Sequence, residues 1–426
     1  LMRFFIATEP HIFSPLNSIQ FKISRYFLEV MKAIILSGGY GSRLRPLTLT
    51  KPKSIVELCN IPIIEFQIAQ FASIGITEII VALNYKANEL IPTLKIIEDR
   101  YAVKVHLSIE EKPLGTAGPI KLAQDFLKED EPFFVCNSDI ICNFPLREML
   151  DLYHKKNSDS ECNGVILIKQ VSDPSKFGVV LHDENTLIVE KFIEKPKDFV
   201  GDFINAGIYI LSKRILDLIK PNQQVSIEKD VFPIMASSNT LYCNKFFTNN
   251  DNIWADIGNP KDFLLGSKLF MEFLKSNSIT GHLCNDKHSS KTELLRKLLN
   301  ENKLELSFET PELRIIGNVI VHPTSSIGKD CSIGPNVVIG KNCKIGDGVR
   351  LKDCVIFDNT NINSYSIISG SIIGCYCNIG KWTRIDGLSV FGDDVNIQDE
   401  LFINSSTILP NKSVTTSINT PNTICL

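Results

Sequence analysis

Apolar and polar positions divide the chain into two regimes. From Met31 onward, short apolar runs alternate with longer segments whose apolar residues recur at helical spacing. The runs KAIILSG, ITEIIVAL, VKVHLSI and PFFVCNSD read as buried strands. Between them, PIIEFQIAQFASIG reads as a helix opened by Pro62 and closed by Gly75. NELIPTLKIIEDR and TAGPIKLAQDFL read as two more. Strands separated by helical segments predict an α/β fold with a mostly parallel, Rossmann-like sheet and helices on both faces. In such sheets ligands sit beyond the carboxyl ends of the strands. The glycine loop after the first strand, Glu110–Glu111 and Asp139 all fall at ends of that kind.

The last third has a different period. Ile327-Gly328, Ile333-Gly334, Ile339-Gly340 and Ile345-Gly346 recur every six residues, and a second train runs from Ile373-Gly374 through Ile403. A period of six with an aliphatic residue in one phase predicts a parallel β-helix, each coil stacking its aliphatic residues on the coil below. The phase shifts at FDNTNINSYSIISG, so an irregular coil is expected there. Between the regimes lies a polar stretch rich in Ser, Asn and Lys, with one helical pattern at KTELLRKLLNENK. Four segments follow: an N-terminal extension over 1–30, an α/β domain over 31–271, a linker or insert over 272–312, and a β-helix over 313–426. The first segment suits neither a secretory signal nor a transit peptide, and Met31 reads as the functional start.

Composition narrows the classes of function. At 426 residues the chain is too long for one ordinary core. A net charge of −3 gives no electrostatic reason to expect nucleic acid or a membrane surface as partner. No apolar run approaches the roughly 20 residues that cross a bilayer. The twelve cysteines contain no CxxC pair and the seven histidines are scattered, which argues against zinc. Buried, reduced thiols in a cytoplasmic protein are the expectation.

Against this near-neutral background, ILSGGYGSRLRPLTLTKPKS carries Arg43, Arg45, Lys51 and Lys53 and no acid. Gly38, Gly39 and Gly41 let backbone N–H groups approach an anion without Cβ atoms in the way. The loop is neither GxxxxGK[ST] nor GxGxxG, and alone it is equally an ordinary strand–helix turn. The cations decide for a small anionic ligand, since Arg43 can fork onto phosphate oxygens and Lys53 supplies a mobile point charge.

GGYGSRLRPLTLTKPKS resembles the signature G-G-x-G-[ST]-R-L-x-P-L-T…P-K-P of the sugar-1-phosphate nucleotidyltransferases. EEKPLGTAGP, NSDII, FGVV, FIEKP, NAGIYIL, SIEKDVFP and WADIGNPKDF follow in the family's order, as does the hexapeptide tail ending DELFINSSTILPNKSV. The resemblance covers nearly all of Met31 to Leu426 and is most specific to the eukaryotic GDP-mannose pyrophosphorylase branch, catalytic β type. It implies a GT-A-like nucleotidyltransferase sheet followed by a left-handed β-helix. Two departures stand out: Ser54 replaces the second proline of P-K-P, and the polar segment near 281–311 is long for the family's linker.

The reaction implied is attack by a sugar phosphate on the α-phosphate of a nucleoside triphosphate, here mannose 1-phosphate on GTP, giving GDP-mannose and pyrophosphate. Two anions must meet, so concentrated positive charge and a divalent metal are needed. Asp139 and Asp256 match the family's metal carboxylates, and hard oxygen ligands suit Mg²⁺. Lys53 would neutralise charge at the α-phosphate and Arg43 would hold pyrophosphate. Lys195 would grip the sugar's phosphate, Glu194 its hydroxyls, and Asn205 and Gly178 would complete the hexose pocket. The nucleotide set is Leu36, Gly38, Gly39, Gly41, Ser42, Glu110, Glu111, Gly115, Thr116 and Asn137. Guanine presents two adjacent donors, which Glu110 or Glu111 could accept; a solvent-facing charge pair is the other reading of those two residues. No covalent nucleophile or general base is required, because the attacking oxygen is already ionised.

The same architecture serves ADP-glucose and dTDP-glucose synthesis, and non-catalytic regulatory or exchange-factor subunits. Such subunits tend to lose metal or phosphate residues, whereas Arg43, Lys53, Asp139, Lys195 and Asp256 are all present. The open coil ends of a β-helix need covering, so homo-oligomers, dimers or tetramers, are expected, with a related regulatory subunit as a further partner.

Overall fold

The computed structural model describes residues 31–84, 87–127, 131–248, 252–279, 305–307 and 314–426. The first apolar run forms β1 (Lys32–Leu36), an interior strand of a nine-stranded sheet. β2 (Glu78–Leu83) pairs parallel with it on one side and carries β3 (Lys104–Ile109), also parallel. β4 (Phe133–Asn137) lies parallel on the other side. Successive side chains of β1 enter different cores: Ala33 and Ile35 face one, Ile34 joins Ile80 and Val135 in the other. Helices α1 (Ile63–Ser73) and α2 (Ala87–Tyr101) cover the first face. Pro62 caps α1 and Gly75 follows it at φ +102°, as the punctuation predicts. The expected helix over 116–127 divides into Gly118–Leu122 and a 3-10 turn Ala123–Phe126, a common way for a short helix to end.

Beyond β4 the sheet becomes mixed, with antiparallel and parallel pairings. A two-stranded ribbon comes from β5 (Ile140–Cys142) and a later segment, and the sheet itself takes β6 (Gly164–Gln170), β7 (Gly178–His182), β8 (Val189–Glu194), β9 (Phe203–Leu211) and β10 (Leu241–Phe246). β9 runs antiparallel to β4, β6 and β7, and its pairing with β6 shifts register between Asn205 and Tyr209. The ribbon is completed by β11 (Trp254–Asp256), which sets Asp256 opposite Ile140.

The hexapeptide region winds into three stacked parallel sheets. Ile327, Ile345, Ile362, Ile379, Ile397 and Val414 form one ladder, and Ile333, Leu351, Ile368, Ile385 and Ile403 another. The phase shift expected at FDNTNINSYSIISG is a shortened coil. Ile345, Ile362 and Ile379 follow at 17-residue intervals where Ile327 to Ile345 takes 18, so one corner residue is dropped and the register survives.

The expected boundary at 271/272 falls inside a helix, since Pro260–Ile279 continues past it. The strand Glu305–Ser307, within the expected linker, already pairs with Val319–Val321 of the coil stack. The 1–30 extension and the helical pattern KTELLRKLLNENK lie outside the described residues. The two folded regions share an apolar core: Val338, Val355, Phe357 and Ile372 of the coils pack in the same cluster as α1, with Phe263 and Phe357 rings 6.3 Å apart. Among the described residues no helix is long and apolar enough to cross a membrane.

Candidate active site

The carboxyl ends of β1 to β4 open into a cavity of about 550 Å³. Gly41, at φ +60°, is where glycine is required: a Cβ there would stand 2.9 Å from Thr48 Cγ2 and 3.2 Å from Lys53 Cβ. The bare backbone lets the segment bearing Lys53 close over the loop, and Thr48 Oγ1 fixes that approach by donating to the Gly41 carbonyl at 2.8 Å. Ser54, the departure from P-K-P, sits in the 3-10 turn Lys53–Ile55 with its hydroxyl buried and without a hydrogen-bond partner.

Two carboxylates and two cations converge at the far side of the loop. The β5–β11 pairing, extended by the Ile257 N–H donating to the Asp139 carbonyl at 2.9 Å, brings Asp139 and Asp256 together across 117 positions of sequence. Lys53 Nζ lies 2.5 Å from Asp139 Oδ2, and Arg43 Nη2 4.0 Å from the same oxygen. Burial, and then the charge of Asp139, push the Asp256 carboxyl above its ordinary pKa, against the Gly258 N–H that it accepts at 2.8 Å. A pair of hard oxygen donors that disfavours its own double ionisation is what a divalent cation relieves, so these residues fit Mg²⁺. No group of three or more His, Cys, Asp or Glu assembles among the described residues, so such an ion would keep several of its waters or take substrate oxygens.

The opposite wall comes from the antiparallel strands. Gly178 of β7 pairs with Glu194 of β8, and a Cβ on Gly178 would lie 2.7 Å from Phe192 Cζ and 2.9 Å from Glu194 Oε2. Lys195, at φ +48°, directs Nζ to within 3.0 Å of Glu194 Oε1 with its side chain largely exposed. Asn205 is locked at the β9 irregularity, donating to Tyr209 Oη at 2.8 Å and accepting from the Gly207 N–H at 3.0 Å.

The structure brings together all the sequence-predicted site residues except Glu111. Glu110 is 3% exposed, lines the cavity and accepts the Leu114 N–H at 2.8 Å, while Glu111 points to solvent. Of the two, Glu110 alone lines the cavity, the in-and-out alternation of β3 carrying on just past its end. Burial, partly offset by the Leu114 N–H, raises the Glu110 pKa. The cation cluster also divides: Arg43 and Lys53 line the cavity, Arg45 does not, and Lys51 turns to the β-helix.

Asn84, Lys176, Gln224 and Glu228 line the cavity without having been singled out. Asn84 follows β2 directly, so the strand-end rule that flagged Asp139 would have found it; its buried Oδ1 has no partner. Glu228 lies in SIEKDVFP and accepts from Thr116 Oγ1 at 2.6 Å, a pairing between segments that no local pattern announces. The lining holds four Lys or Arg against five Asp or Glu, so the protein alone does not supply the surplus of positive charge that two anions require. That balance is a second reason for a divalent cation.

A model of the nucleotidyl transferase family matches residues 32–272, and the GMPPB C-terminal domain matches 315–424. The chain belongs to the nucleotidyl transferase family. Proteins named mannose-1-phosphate guanyltransferase are among its relatives within that family. The protein of that name from Aspergillus fumigatus is 43% identical over 394 residues, 92% of this chain and 99% of its own length. The Schizosaccharomyces pombe protein is 42% identical over 398 residues, 93% of this chain and 100% of its own. The Candida albicans protein is 41% identical over 390 residues, 91% and 98% respectively. This nucleotidyl transferase therefore matches those relatives over nearly their full length.

Proposed function

We propose that this nucleotidyl transferase converts GTP and mannose 1-phosphate to GDP-mannose and pyrophosphate. A phosphate oxygen of mannose 1-phosphate forms a bond to the α-phosphorus as the bond to the bridging oxygen breaks, and that electron pair leaves with pyrophosphate. The observation that carries the proposal is the meeting of Asp139, Asp256, Lys53 and Arg43 at the mouth of the glycine loop. The names of the relatives, matched over nearly their full length, support the choice of base and sugar.

Asp139 and Asp256 would hold Mg²⁺, which when bound supplies charge neutralisation and polarisation at the phosphates. Lys53 donates toward the α-phosphate and Arg43 toward the departing pyrophosphate, both pre-positioned by their carboxylate contacts. The exposed, strained Lys195 reaches for the sugar's phosphate, leaving Glu194 to accept from hydroxyls beside Gly178 and Asn205. Glu110 and Asn84 Oδ1 offer two acceptors at the end of the sheet, matching guanine's N1–H and exocyclic amine. Oligomers built on the β-helix and a cytoplasmic location belong to the same proposal; the eleven described cysteines are free thiols, which suits a reducing compartment.

The test is pyrophosphate release with Mg²⁺ and GTP plus mannose 1-phosphate, beside ATP plus glucose 1-phosphate. The first pair should be favoured by at least ~100-fold in kcat/KM, the discrimination that unmatched buried hydrogen bonds give. Equal or better turnover of the second pair overturns the substrate assignment, and no turnover of either overturns the activity.

A further inference from the structure

The segment that carries Lys53 into the cavity is fastened at both ends to the β-helix. Before Lys53, Thr50 Oγ1 donates to Asp393 Oδ2 at 2.6 Å, and Lys51 Nζ lies 3.2 Å from Cys375 Sγ and 5.4 Å from the Phe357 ring centre. Asp393 is itself held, its Oδ1 accepting the Cys375 N–H at 2.9 Å. After Lys53, Glu57 Oε1 accepts from Lys341 Nζ at 3.2 Å, and Asn60 Nδ2 donates to the Ile339 carbonyl at 2.9 Å. Burial works against the Lys51 charge, and the Asp393 carboxylate nearby works for it. A lysine drawn from a phosphate loop into a buried contact 324 residues away costs desolvation, and the chain gains an anchor by it.

We propose that the β-helix takes part in catalysis by positioning Lys53, with Thr50, Lys51 and Glu57 docked on Asp393, Cys375 and Lys341 as the clamp. Only Pro52 separates the Lys51 anchor from Lys53, so a loosened anchor moves the catalytic ammonium directly. The glycine loop is coupled to the same motion, because Lys53 Cβ packs where a Gly41 side chain would be. Thr50, Lys51 and Asp393 are positioning residues: they act on the reaction through Lys53, not on substrate. The inference rests on the proposed transfer reaction for its kinetic arm, and has a second arm that does not.

The experiment uses the full chain with Asp393→Ala, Asp393→Asn, Lys51→Met and Thr50→Val. Amide hydrogen exchange over residues 50–58 reads the clamp directly, and kcat with KM for each substrate reads its effect. Asp393→Ala and Lys51→Met should speed exchange across 50–58 and lower kcat ~10-fold, with KM for mannose 1-phosphate within about twofold of the parent. This stays short of the ~100-fold that a 1 Å misplacement of a reacting group can cost. Asp393→Asn keeps a partner for both Thr50 and the Cys375 N–H and should recover most of the rate. Thr50→Val, a milder change at an exposed residue, should lose about threefold and covers the case in which Lys51→Met fails to fold. Faster exchange with unchanged kcat overturns the positioning role. Unchanged exchange in Asp393→Ala overturns the clamp itself. An inactive parent with the exchange pattern intact would sink the proposed reaction and leave the clamp standing.

Discussion

Lys53→Met removes the charge on which the active-site proposal leans most. Its side chain, 12% exposed, lines the cavity beside Arg43 and sets the ammonium 2.5 Å from an oxygen of Asp139, whose side chain is 21% exposed. Removing one preorganised donor to a developing transition-state charge costs about 2.7–4 kcal/mol in an oxyanion hole, or roughly 100- to 1000-fold in kcat. Fold stability should move less. The pair is part-buried, between the ~0–1 kcal/mol of an exposed ion pair and the ~3–5 kcal/mol of breaking a buried one, so about 1–2 kcal/mol is expected. That corresponds to a Tm lower by roughly 2–8 °C for a domain of this size. The substitution also frees Asp139 from its cation, so added Mg²⁺ should raise the Tm of the variant more than that of the parent. Steady-state pyrophosphate release and thermal unfolding with and without Mg²⁺ check the two halves. A variant turning over within threefold of the parent would refute the assignment of Lys53. A variant whose Tm gains no more from Mg²⁺ than the parent would refute competition for Asp139.

Asp139→Asn should abolish turnover while retaining the fold, because one of two carboxylates goes and no core side chain changes; near-normal rates would remove Asp139 from the mechanism. Glu110→Gln should lower kcat/KM for GTP by ~10- to 150-fold, the worth of a hydrogen bond to a charged acceptor, and narrow the preference over ATP. The pH profile gives the sign: burial raises the Glu110 pKa, so protonation begins at a higher pH than for an exposed glutamate. KM for GTP should then climb as pH falls through that value in the parent and stay flat in the variant. Gly115→Ala should destabilise by about 3 kcal/mol or more, since its Cβ would stand 2.3 Å from the Val225 carbonyl oxygen at φ +80°; denaturant titration checks it.

What repeats or recurs locally was legible in the amino-acid order alone. Apolar runs of strand length, a proline and a glycine bracketing α1, and a six-residue aliphatic phase each reflect contacts within one element or between adjacent coils. The same holds for the glycine loop and its cations. The sequence could not say where those cations point, because Lys51 and Lys53 are two residues apart and face different regions, one the β-helix and one the cavity. Nor could it join Asp139 to Asp256, which meet only because β5 and β11 pair, or choose Glu110 over its neighbour before the end of β3 was fixed. Those are decisions of long-range packing: a side chain's chemistry is written in its identity, but its partner is chosen by whichever distant segment the folded core brings against it.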